Sequence, residues 1–246
     1  MRLPEEERAR YRAAFRAMSL PQKAEYVFAY YKLPLVLALV AIVSAVSIGR
    51  YFLTHKESLL YVAYANVELT DEDDARIFDG YLRERGANAR TTQVSRYYDL
   101  YLCDPEGSVD HQYSYASRVK LLATIDAEEL DVVLMSKGSY DLLSHSGYLA
   151  DLPELLATGD PKLLAQVQDL LQSNDVIIED NQVELDLGEA DAYEATTEPH
   201  VNAIEADTLP AFASIDLNEH LYLGVIGNTP RTDEVLSLIA YLCGQG

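Results

Sequence analysis

The residues best suited to chemistry in this chain are acidic. Asp71, Glu72, Asp73 and Asp74 form an unbroken run, and CDPEGSVD (103–110) sets Asp104, Glu106 and Asp110 around Gly107. Clustered carboxylates suit hard cations, but neither run has the ligand spacing of a calcium loop. Acids in the first turn of a helix are also stabilising without any ion. The five histidines (55, 111, 145, 200, 220) are scattered, with no HExxH and no CxxC. There is no GxSxG elbow, no Walker loop and no GxGxxG. The sequence therefore predicts no catalytic set, no metal set and no cofactor.

Cys103 and Cys243 are the only cysteines. Bonded to each other, they would close a loop long enough to contribute roughly 4–5 kcal/mol in the chain-entropy model. Unbonded, they would pack as small apolar thiols. Both readings are open at this point. Tyrosine is unusually frequent, with eighteen Tyr and no Trp. Tyr97, Tyr98, Tyr101, Tyr113 and Tyr115 gather near one predicted strand end, where apolar rings with polar tips serve packing or a binding surface equally.

The elements that must position these groups are divided by Leu33–Gly49, LPLVLALVAIVSAVSIG, seventeen residues without a charge. As a helix it spans about 25 Å, close to a hydrocarbon core. Tyr30, Tyr31, Tyr51 and Phe52 flank it as interfacial belts, and Lys32 and Arg50 can snorkel outward. Pro34 is expected to kink this helix rather than end it, because the apolar run continues. Ala45-Val46-Ser47 has the small-x-small form of a cleavage site, but thirty-two residues precede the apolar run and no Cys follows to take a lipid. An uncleaved signal anchor over residues 33–53, held in the lipid bilayer, is the expectation.

Charge sets its orientation. Residues 1–32 hold seven Lys or Arg against four Glu; residues 1–56 carry a net +5 and residues 57–246 a net −26, giving the total of −21. The positive-inside rule keeps the head (1–32) cytoplasmic and exports the body. The head, basic and amphipathic, suits either an anionic leaflet or a solvated tail. A body this acidic does not bind nucleic acid, whose phosphates require a basic face.

The body, residues 57–246, alternates strand and helix. Strands are predicted over 59–67, within 90–102, over 130–135 and over 221–226. Thr70 caps a helix to about Arg85, stopped at Gly86; others run over 113–125, from Ser136 to Gly147, around 153–157 and 161–171, and over 231–243. A hairpin is expected across Asn181-Gln182, joining VIIED to VELDL, and Glu189–Asp207 is expected as an acidic surface loop. This is an α/β plan: an N-terminal transmembrane helix followed by a mostly parallel three-layer sheet domain. Residues 151–218 are the stretch available for a reduced second lobe.

Residues 121–156, LLATIDAEELDVVLMSKGSYDLLSHSGYLADLPELL, resemble a segment of type II extracytoplasmic solute-binding proteins, on Glu128, Asp131, Val132, Gly147, Leu149, Asp151 and Leu152. The closing LYLGVIGNTPRTDEVLSLIAYL is similar to their final strand, turn and helix. The basic head, YYK and single span also look like membrane-anchored proteins of Gram-positive bacteria that display such a domain. The resemblance implies non-covalent recognition of a small solute, a peptide or a partner rather than an enzyme. The body is shorter than two full lobes need. A structural or assembly subunit of a membrane complex, with a degenerate binding fold, is the alternative.

Open α/β sheets place ligands beyond the carboxyl ends of their strands. Applied to the predicted strands, this selects Asn66, Tyr113, Ser136, Lys137 and Asn228 as ligand-binding candidates.

Overall fold

The computed structural model describes residues 13–14, 16–54, 56–103, 111–181, 193–217 and 219–244. They divide into two compact units, one up to His55 and one from Lys56 onward.

The first unit is built on α1 (Leu20–Thr54), a single helix of 35 residues. Ser19 stands just before its first residue. Its N–H donates to Gln22 Oε1 at 3.0 Å, and its carbonyl accepts from the Lys23 N–H at 2.9 Å. This is half of a capping box. The helix runs through Pro34. Within it Lys32–Tyr51 is 20 residues with mean hydropathy 2.2, and none of its described side chains is buried. Twenty residues rise about 30 Å, the thickness of a bilayer's apolar core. By length and composition this helix is able to cross a membrane, a property it shares with signal sequences.

The second unit runs β1 (Glu57–Ala65), α2 (Asp71–Glu84), β2 (Thr92–Leu100), α3 (His111–Asp126), β3 (Val132–Met135), α4 (Lys137–His145), α5 (Leu152–Ala157), α6 (Pro161–Val167), β4 (Leu171–Asp180), β5 (Ala195–Glu205), β6 (Tyr222–Val225) and α7 (Thr232–Leu242). The strands form one six-stranded sheet in the order β2-β1-β3-β6-β5-β4. Two-residue periodicity makes it three-layered. Leu60, Val62 and Tyr64 of β1, with Val132 and Leu134 of β3, face one core with α2, α5, α6 and α7. Ala63, Ala65, Val133 and Met135 face the other, covered by α3 and α4. Helix α7 buries Val235, Leu236, Leu238, Ile239 and Leu242, each stabilising by roughly 1.5–3 kcal/mol.

The local signals act as read. Thr70 accepts from the Asp73 N–H at 3.2 Å and starts α2. Gly86 and Gly147, with φ of 64° and 71°, end α2 and α4 in the left-handed region that glycine enters freely.

The sheet is mixed. The parallel part is β2-β1-β3; β6 runs antiparallel to β3, β5 to β6 and β4 to β5. The chain therefore enters its second half as a meander of neighbouring strands, with no helical crossover to keep the strands parallel. The described residues of 151–217 contribute α5, α6, β4 and β5 to this same sheet and its cores: Leu152, Leu156, Leu163, Val167, Ile204 and Phe212 all pack in the core beneath α7. The stretch expected as a surface loop contains β5. Its first half, Ala195–Pro199, is exposed, and only Asn202, Ala203 and Ile204 are buried. A ribbon that projects past the core needs no apolar alternation, so its pattern resembled a loop. VIIED lies in β4, paired with β5, whereas VELDL (183–187) lies outside the described residues, as does most of CDPEGSVD.

Candidate functional site

Chain reversal after β1 is governed by Asn66, which holds φ at 54°, a left-handed value that asparagine tolerates better than most residues. Its Oδ1 accepts from the Leu102 N–H at 2.7 Å, the Cys103 N–H at 3.1 Å and Ser139 Oγ at 2.8 Å. Its Nδ2 donates to the Cys103 carbonyl at 2.7 Å. One side chain thus ties the segment after β2 to the start of α4.

Ser136 lies at the same end of the sheet, buried, donating its N–H to the Ala65 carbonyl at 3.1 Å and capping α4. Lys137 is exposed, paired with Asp141 and poised 5.0 Å over the Tyr140 ring. Tyr113 donates to the Asp99 carbonyl at 3.1 Å and packs on Tyr101, ring centroids 5.6 Å apart. Asn228 does not join them. Because β6 is antiparallel to β3, its carboxyl end lies beside Val132, at the opposite end of the sheet, and Asn228 donates there to the Ile125 carbonyl at 2.8 Å.

The same reversal delivers the start of β6 to the end of the sheet where β1 and β2 finish. A crevice of about 220 Å³ opens there between Asn66, Val67, Glu68 and Tyr101 on one side and Leu217, Glu219, His220 and Leu221 on the other. Tyr101 donates to Glu68 Oε1, and that bond raises its phenol to about 12. A neighbouring hollow of about 400 Å³ shares Leu217, Glu219 and His220 and adds Asp207, Phe212 and Asp216. Its charged lining is acidic apart from His220.

His220 also meets two carboxylates. Its Nδ1 is 3.0 Å from Asp207 Oδ2 and 3.4 Å from Glu205 Oε1. The three donor atoms lie within 4.8 Å of one another. Glu205 is the last residue of β5 and Asp207 lies in the turn that follows it, and β6 pairing brings His220 across to them. No local motif marks this set. The usable signal was an acid-x-acid pair closing one strand and a histidine just ahead of the next.

Among the described residues the other sequence candidates are structural. Asp74 is buried and bound by Tyr64 Oη, by Tyr98 Oη at 3.0 Å and by Arg96 at 3.1 Å. Asp73 serves the first turn of α2. Cys103 and Cys243 are free thiols. Cys103 packs against the core beneath α3 and α4, Cys243 against the one beneath α7, so the sheet separates them and the disulfide alternative falls. Burial pushes the Cys243 thiol up.

In comparisons with known proteins, no family model, no curated protein and no solved structure matches this chain.

Proposed function

We propose that this chain is a single-pass, membrane-anchored protein whose α/β domain binds a small solute or peptide non-covalently outside the cell. The observation that carries this is the crevice across the ends of β1 and β2 and the start of β6, lined by Glu68, Tyr101, Glu219 and His220. It lies where an α/β sheet leaves its strand ends open to a ligand. Its acidic lining favours a cationic or hydrogen-bonding solute over an anion. The apolar 20-residue stretch of α1 supports the anchor, and the charge step from +5 to −26 across it supports a cytoplasmic head with an exported body. The likeness of residues 121–156 to type II solute-binding proteins points the same way, from a Gram-positive setting.

The test uses the full chain in detergent. Its thermal unfolding is followed against amino acids, amines, sugars and short peptides. A ligand at a hundred times its dissociation constant stabilises by about 2.7 kcal/mol, and Glu68→Gln should reduce the shift. A flat response across the panel counts against solute binding.

One observation favours the second reading, an assembly subunit. Tyr115, Val119 and Leu122 of α3 are 71%, 46% and 37% exposed, and their i, i+4, i+7 spacing aligns them in one apolar row. Loss of a co-purifying membrane partner on Val119→Glu, with solute binding intact, would select it.

A further inference from the structure

We infer that Glu205, Asp207 and His220 form a binding site for a divalent transition cation of the zinc class. The site goes beyond solute recognition and stands or falls without it. Three observations carry it.

The first is spacing. Two donors bound tetrahedrally to one ion at about 2.1 Å sit about 3.4 Å apart. His220 Nδ1 is 3.4 Å from Glu205 Oε1 and 3.0 Å from Asp207 Oδ2, so small side-chain adjustments admit a shared ion.

The second is preparation of the carboxylates. Glu205 is held by its other oxygen, Oε2, which accepts from Gln172 Nε2 at 3.0 Å. A ligand oriented by an outer hydrogen bond is characteristic of metal sites. Asp207 Oδ1 is buried with no hydrogen-bond partner among the described residues. A buried carboxylate oxygen left bare is costly, and a cation shared between both oxygens of Asp207 would remove that cost.

The third is charge. Two carboxylates share this small space in a chain of net charge −21, and a 2+ ion neutralises them. An imidazole nitrogen beside two carboxylates selects zinc, cobalt or manganese over magnesium and calcium, which prefer all-oxygen shells. The histidine is largely exposed, 68% by side chain, and it borders both the crevice and the adjoining hollow. An ion held here keeps a coordination position open toward them, the arrangement of zinc sites with three protein ligands.

The experiment treats the full-length chain in detergent, free of any affinity tag, with a chelator, removes the chelator and titrates Zn²⁺ by calorimetry. Co²⁺ follows as a spectroscopic probe. One Zn²⁺ per chain is expected, with visible Co²⁺ bands of a four- or five-coordinate N/O site. His220→Ala should weaken Zn²⁺ at least tenfold and bleach those bands, and Gln172→Ala should weaken it by about tenfold through Glu205. Because His220 is exposed, its replacement should leave the melting curve of the metal-free chain unchanged. Glu205→Gln provides a second variant should His220→Ala prove unstable. Zn²⁺ binding that is undiminished in both variants, binding at several weak sites only, or no binding would each overturn the assignment.

Discussion

Arg231 and Asp131 meet side-on, with the guanidinium Nε 2.8 Å from Oδ2 and 3.0 Å from Oδ1 of a carboxylate that has no exposed surface. The carboxylate also accepts from the Tyr61 N–H at 2.8 Å and from Thr229 Oγ1. The guanidinium reaches the Glu128 carbonyl and lies 4.6 Å over the Tyr61 ring. The pair therefore fastens the start of α7 to the entry of β3. Breaking a buried pair strands the remaining charge. Arg231→Met should cost roughly 3–5 kcal/mol, read as a lowered urea midpoint of residues 56–246. A change near zero would mean that water reaches Asp131.

Asn66 makes a different prediction, since its Oδ1 accepts three hydrogen bonds from the protein and its Nδ2 donates one to it. Asn66→Ala removes four hydrogen bonds and replaces a residue that tolerates positive φ by one that tolerates it less, for a loss of roughly 2–4 kcal/mol. Asn66→Gly relieves the backbone strain and should recover about 1 kcal/mol of it. Equal melting temperatures for the two variants would show that the left-handed backbone contributes nothing.

Gly224 sits in β6 with no space above it. A Cβ there would lie 2.6 Å from Met135 Cε and 2.9 Å from Leu149 Cδ2. Gly224→Ala should destabilise by roughly 1–3 kcal/mol through overpacking. Shortening Leu149 to Val in the same chain should return part of that loss, a coupling expected for residues in contact. Strict additivity in a double-mutant cycle would place the strain elsewhere.

Alkali should unfold the domain through its tyrosines. Burial, acting with Glu234, raises the Tyr81 phenol to about 12, and burial with the Asp74 carboxylate does the same to Tyr98. In the unfolded chain these phenols ionise near 10. A raised folded value means their contribution is complete below about pH 10 and is lost as pH climbs toward 12. Urea midpoints should fall across that window while tyrosinate absorbance rises. Tyr81→Phe should shallow the fall, and an unchanged slope would remove Tyr81 from the account.

Legibility followed the range of the forces involved. The Thr70 cap, the stops at Gly86 and Gly147 and the short apolar run at Leu130–Met135 are local, and each is realised where its residues predict it. Strand direction is not local. Nothing within LYLGVI states that it pairs antiparallel with β3, the pairing that carries Asn228 to the end of the sheet away from Asn66 and brings His220 to the crevice that Asn66 lines. The trio of Glu205, Asp207 and His220 was hidden for the same reason, because β5–β6 pairing creates it. The exposed half of β5 carries no apolar periodicity, so its residues do not mark it as a strand.

The position of β6 in the sheet has a consequence for how the chain acquires its structure. β6 joins β3 to β5, yet it comes from residues 222–225, later in the chain than every other strand. As synthesis proceeds, β1, α2, β2, α3 and β3 can assemble from near neighbours, and β4 can pair with β5. The two halves stay unjoined until β6 arrives and bridges them. In that interval the free edge of β3 presents unpaired backbone groups beside Val132–Met135, all buried in the finished fold. Such an edge invites pairing with other chains. The interval before β6 docks is thus the one in which the β3 edge is open to such pairing.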